Sequence, residues 1–250
     1  MRQADLQADA LVFMYAHEFV EERYHESDLT PSLEHNLQYP TRAPISGHYI
    51  DRNQVVESVL FATLADLHVR RIVPLSQEEF CRVWGSQRLY RWLNARFGYQ
   101  RWVLYATLDG SLPASPLCTG LAEVFASTVR PEAGSMGLPR LPVAQLLRKL
   151  LALRGRDKDP YKEIIRWVGD ELIAERFYVE STDVVVGAVP FSDIHPDVEK
   201  MLTLEPRAME LKARLERFRQ REPELAEALR QTVAKTMQEQ QILFQRRTGF

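Results

Sequence analysis

Cysteine is nearly missing from this chain, with Cys81 and Cys118 the only two in 250 residues. Two thiols cannot build the disulfide framework of a small secreted domain, and they stand too far apart for a zinc site. Both are expected to be reduced core thiols. Long apolar runs are missing too, since none approaches the roughly 18 to 20 residues needed to cross a bilayer. Near the N-terminus Arg2 is not followed by an apolar stretch and a small-residue cleavage site, so no secretory signal is read. These absences point to a cytoplasmic protein. An overall excess of one charge is also lacking, with 32 basic and 34 acidic side chains and a formal net charge of −2. With 45% hydrophobic residues, that balance argues against disorder and against a globally basic nucleic-acid binder.

The balance hides a partition. Residues 1–66 carry 4 basic and 11 acidic side chains (net −7), residues 67–156 carry 13 and 5 (net +8), and residues 157–250 carry 15 and 18 (net −3). A basic middle between acidic ends serves either internal docking or a face that meets anions.

Periodicity predicts a mainly α protein. Leu6, Ala10, Phe13, His17, Val20 and Tyr24 recur at helical steps from Asp5 to about Glu26, with acidic residues on the other faces. A proline-bearing connector follows, containing Pro31, Pro40 and Pro44. Asp51 is a good N-cap for a helix whose stripe runs from Val55 to Leu67. Ser76 with Glu79 resembles a capping box, predicting a helix from Gln77 to Phe97. Trp102 to Leu108 reads as an edge strand or hairpin arm. Further helices are expected over Leu117–Thr128, Val143–Leu153 and from Pro160 onward, the prolines Pro142 and Pro160 standing at the starts of the last two. Phe177–Val179 and Val184–Val186 flank a polar stretch and predict a hairpin turning at Glu180 to Asp183. Helix followed by hairpin is a winged-helix order. Two helices, Pro206–Arg221 and Pro223–Gln245, end the chain; folding back and pairing in a homo-oligomer are both compatible with their stripes. The division is an N-terminal helix and connector (1–44), a helical core with winged-helix-like β-hairpins (45–203) and a C-terminal helical pair (204–250), with amphipathic extensions at both ends.

Two segments carry a family resemblance. Val59 to Ile72 reads VLFATLADLHVRRI, and Glu171 to Val179 reads ELIAERFYV, followed by Phe191-Ser192-Asp193-Ile194-His195-Pro196. These resemble the Golgi phosphoprotein 3 family, whose members are mostly helical and whose eukaryotic representatives are membrane adaptors for phosphoinositide headgroups; the resemblance implies a helical adaptor, without carrying phosphoinositide recognition over. The chain departs from that pattern. The family has glycine where this chain has Arg176 or Phe177, its headgroup tryptophan and arginine lack counterparts around the Val55 helix, and of its later arginine pair only Arg166 is matched.

Residues Arg82 to Tyr105 form the densest aromatic and basic stretch. Arginine grips phosphate oxygens in a planar fork and stacks on rings. Trp84, Arg88, Arg91 and Trp92, with Arg166 and Trp167, are therefore the candidate ligand site; the plainer alternative makes the aromatics core and the arginines a solvated rim. Glu22 and His25 have the spacing of a carboxylate-bridged metal site but lack the second pair such a site needs. Asp157 and Asp159 read as a helix start rather than a metal pair. Nucleophile elbows, glycine-rich phosphate loops, zinc signatures and dinucleotide fingerprints are absent, so no catalytic residue, metal or cofactor is assigned. The expected function is a non-catalytic adaptor docking through the basic middle onto an anionic surface, membrane headgroups or an acidic protein. A winged-helix nucleic-acid binder and a structural oligomerisation protein are the alternatives.

Overall fold

Apolar side chains at three- and four-residue steps place most of this chain in helices that bury their stripes against one another. The structure is a computed structural model and describes residues 6–20, 40–79, 102–128, 138–153, 155, 158–186 and 189–249. It begins with α1 (Ala8–Met14) and α2 (Ala16–Phe19), then the short antiparallel pair β1 (Pro40–Arg42) and β2 (Tyr49–Asp51). Next come α3 (Arg52–Val69), β3 (Leu75–Glu79), β4 (Trp102–Thr107), α4 (Pro116–Ala126), β5 (Arg140–Pro142) and α5 (Val143–Ala152). The chain continues through α6 (Pro160–Ala174), β6 (Tyr178–Val186), β7 (Val189–Pro196), α7 (Val198–Leu202), α8 (Glu205–Arg221) and α9 (Pro223–Thr248). The fold is mainly α, with small antiparallel sheets.

α3 is the centre. The Asp51 carboxylate caps its first turn by accepting from Asn53 N–H at 2.7 Å, and twelve of its side chains, from Arg52 to Leu67, are buried. α1, α6, α8 and α9 all pack against it. Inside this ring Asp66, 5% exposed, accepts from Arg214 of α8 at 2.5 Å and from Arg70 at 3.4 Å. At the other end Arg52 pairs with Asp159 at 3.1 Å. Asp159 also caps α6, accepting from Tyr161 N–H and Lys162 N–H at 3.0 and 3.3 Å, as the proline start implies.

Four elements differ from expectation. The N-terminal helix is broken at Tyr15 and extended by Val20. It is also not amphipathic in place, for all seven residues of α1 are buried, Asp9 among them. The Tyr15 hydroxyl donates to the Met201 carbonyl at 2.6 Å, and Arg207 donates to the Leu6 carbonyl at 2.9 Å, so both ends of the chain share one core. The stretch after Ser76 is strand β3 rather than the start of a helix. Pairing of Leu75–Glu79 with Trp102–Ala106 supplies backbone partners that outweigh a local capping pattern. β4 is not an edge; it lies between β3 and β5.

The last difference is the hairpin. Its first arm runs unbroken from Tyr178 to Val186 and pairs with β7, with a register shift between Ser181 and Val184. The polar stretch read as a turn is therefore a bulge region, where extra residues are absorbed without reversing the chain. α8 and α9 fold back. Leu211, Leu215 and Phe218 of α8, with Leu229, Val233 and Met237 of α9, belong to the core.

Candidate functional site

Trp84, Arg88, Arg91 and Trp92, expected to form the ligand site, lie outside the described residues, as does the rest of the predicted helix from Phe80 to Phe97. Arg166 and Trp167 are both on α6 and point apart, because consecutive helix residues are turned about 100° from each other. Arg166 is exposed. Trp167 is 3% exposed and belongs to the core.

The structure instead places cations together along α5, the start of α6 and the end of α9. A groove of about 280 Å³ there has Arg148, Lys149, Lys158 and Arg247 in its wall against one carboxylate, Glu163. Gln240, Leu243, Phe244 and Arg247 reach it from α9 at the spacing that stacks side chains on one helix face. Arg148 meets Glu239 at 2.6 Å, Lys158 meets Glu163 at 3.8 Å, and Lys149 donates to the Thr128 hydroxyl at 3.1 Å. Arg148 and Lys158 are nearly half exposed. Exposed ion pairs of this kind contribute about 0 to 1 kcal/mol, so an incoming anion competes with them easily. Beyond Met237 no side chain of α9 is buried. Ile242 and Leu243 stand exposed there, with Leu153 exposed on the neighbouring loop.

A second concavity has the opposite character. α4 begins at Ser115, whose Oγ accepts from Cys118 N–H at 3.2 Å, with Pro116 in the first turn. The same hydroxyl donates to Asp9 Oδ2 at 2.8 Å, and Ala10 N–H donates to Oδ1 at 3.0 Å. Burial pushes the Asp9 carboxyl above the usual range against the opposing pull of the Ser115 hydrogen bond. Burial likewise pushes the Cys118 thiol up to about 12, which makes it inert.

Ser115 also forms part of the wall of a cleft of about 380 Å³, completed by Thr119, Gly120, Glu123, Leu153, Trp167 and Glu171. Gly120 permits this close meeting of α4, α5 and α6. A Cβ there would lie 2.7 Å from Leu150 Cδ1 and 3.5 Å from Trp167 Cη2. Glu171 is the unusual group. Burial, then the nearby Asp9 and Glu175 carboxyls, push its pKa up to about 8. Its Oε2 is buried and has no hydrogen-bond partner, a deficit of about 1–3 kcal/mol for a buried polar group.

Nothing in the sequence marked Asp9 or Glu171. Each reads as the polar side of an amphipathic helix, and only packing turns that side inward. The legible signal was indirect, in Ser115-Pro116 as a helix start that had to be positioned by something.

Fold and geometry define a mainly helical protein with a basic groove and a separate carboxyl-lined cleft; among the described residues no group of His, Cys, Asp and Glu has the arrangement of a metal site. Compared with family models, curated proteins and solved structures, the chain matches none.

Proposed function

We propose that this chain is a non-catalytic adaptor that docks on an anionic membrane surface through the basic groove and the exposed end of α9. The observation that carries the reading is that cations and unburied apolar side chains share this face. Arg148, Lys149, Lys158 and Arg247 line the groove with Leu243 and Phe244, and Leu243 is exposed. Apolar side chains enter the headgroup boundary while lysine and arginine meet anionic lipid. No helix among the described residues is long and apolar enough to cross a membrane, so the contact is peripheral. The resemblance to the Golgi phosphoprotein 3 family points the same way.

Each lysine or arginine near an anionic leaflet contributes about 1 kcal/mol. The triple variant Arg148→Ala, Lys158→Ala and Arg247→Ala should therefore bind phosphatidylserine vesicles on the order of 100-fold more weakly than the parent. Vesicle sedimentation at low and moderate salt measures this. Binding that shows no preference for anionic over phosphatidylcholine vesicles, or a triple variant that binds like the parent, overturns the reading.

A further inference from the structure

We infer that the cleft between α4 and α6 is a binding site for a primary organic ammonium with a small apolar body, with Glu171 as its counter-ion. Three observations on the cleft carry this, and none depends on the docking face.

The first is charge. Glu171 and Glu123 are the ionisable groups among the described residues of its wall, and no cation is among these. The Asp9 carboxyl lies directly behind, hydrogen-bonded to the lining residue Ser115. Among the described ionisable groups an anion meets carboxyls, and a cation meets its complement.

The second is hydrogen-bonding capacity. An ammonium group brings three donors and no acceptor. The cleft offers the reverse, with the Glu171 carboxyl and the hydroxyls of Ser115 and Thr119. Glu171 Oε2 is buried without a hydrogen-bond partner, so this oxygen is open to an incoming donor.

The third is shape. About 380 Å³ sits at the lower end of small-ligand pockets, and Pro116, Leu153 and Trp167 supply apolar wall around the polar end. Leu153, buried residues aside, is 45% exposed at the mouth, where an apolar body would cover it.

Binding a cation favours ionised Glu171, so a proton must leave on complex formation. A carboxyl that holds its proton up to about 8 is largely protonated at neutral pH, and the release approaches one proton per ligand. Isothermal titration of the full chain tests this with phenethylammonium, phenethyl alcohol and phenylacetate at about pH 7, in two buffers of different protonation enthalpy. Phenethylammonium should bind with proton release, and the alcohol and the acid should not. Glu171→Gln should weaken the ammonium by about tenfold or more and remove the release. Should Glu171→Gln fail to fold, the parent carries the test, since its affinity should rise from about pH 6 to about pH 9. Absence of ammonium binding at about 1 mM, equal binding of the alcohol or the acid, or affinity indifferent to pH overturns the assignment. Vesicle binding is unaffected by any of these outcomes, so the two proposals stand or fall separately.

Discussion

At the scale of single residues, the chain keeps charged groups where water is scarce and offsets them unequally. Asp66 is met by two guanidinium groups. Asp9 is met by a hydroxyl and its own backbone neighbour, and Glu171 is met by other carboxyls, Asp9 on α1 and Glu175 on its own helix. Folded Glu171 holds its proton up to about 8, whereas an ordinary glutamate releases it near 4.5. Between those values the folded state binds more protons than the unfolded state, so stability falls as pH rises through this window and levels off on either side. Asp9 is shifted in the same direction and adds to the fall. Glu171→Gln should flatten the slope and leave the protein more stable than the parent near pH 8. Urea midpoints taken across the window measure it. An unchanged slope would mean that Glu171 ionises freely in the folded protein.

At the scale of elements, capping and pairing combine at the start of α6. Asp159 accepts two backbone N–H groups of its own helix and also the guanidinium of Arg52, which is 6% exposed. Losing an ordinary N-cap costs about 0.5–2 kcal/mol, and leaving one partner of a buried ion pair alone costs about 3–5 kcal/mol. Asp159→Ala should therefore destabilise by more than a cap alone. Asp159→Asn, which keeps an acceptor for the backbone while dropping the charge, should fall between it and the parent. Equal losses for the two variants would show that the cap carries little and the charge nearly everything. The helices themselves were legible, as Val143, Pro160 and Pro223 begin helices where proline and apolar spacing said they would. The strands were less so. β3 carries a capping-box pattern in Ser76 and Glu79, and β6 carries a polar stretch that imitates a turn. In both, pairing with a partner strand, distant in sequence for β3 and adjacent for β6, satisfied the backbone and overrode the local signal.

At the scale of the whole molecule, both ends of the chain are structural. α1 is buried against α3, and α8 and α9 cover the other sides of that helix. Deleting everything from Pro206 onward would remove Leu211, Leu215, Phe218, Leu229, Val233 and Met237 from the core and expose the side chains they cover. Burying each such side chain is worth about 1.5–3 kcal/mol, against a total stability of about 5–15 kcal/mol. That truncation should unfold the chain, seen as loss of a cooperative thermal transition. Truncation from Ile242 onward removes only turns of α9 without buried residues. It should leave the transition nearly unchanged while weakening attachment to anionic vesicles. A folded core after the first truncation would mean that α8 and α9 are appendages.

By itself, the sequence determined the helical class, the buried stripe of α3, the cap at Asp51, the helix start at Pro160, and the burial of Cys118. These follow from periodicity and from side chains acting on backbone groups a few residues away. Its counted charges also announced a basic middle, though the basic groove found draws on α5, α6 and α9 together, including Arg247 from the acidic C-terminal third. Only tertiary structure decided that. It also decided that α1 lies inside with Asp9, because α3 and α6 close around it and Ser115 gives the carboxyl a hydrogen bond. The cleft is the clearest case. Ser115, Thr119, Trp167 and Glu171 come from two helices, with Asp9 of a third behind them. No spacing along the chain encodes their meeting, since it depends on helix packing distances that Gly120 sets by having no side chain.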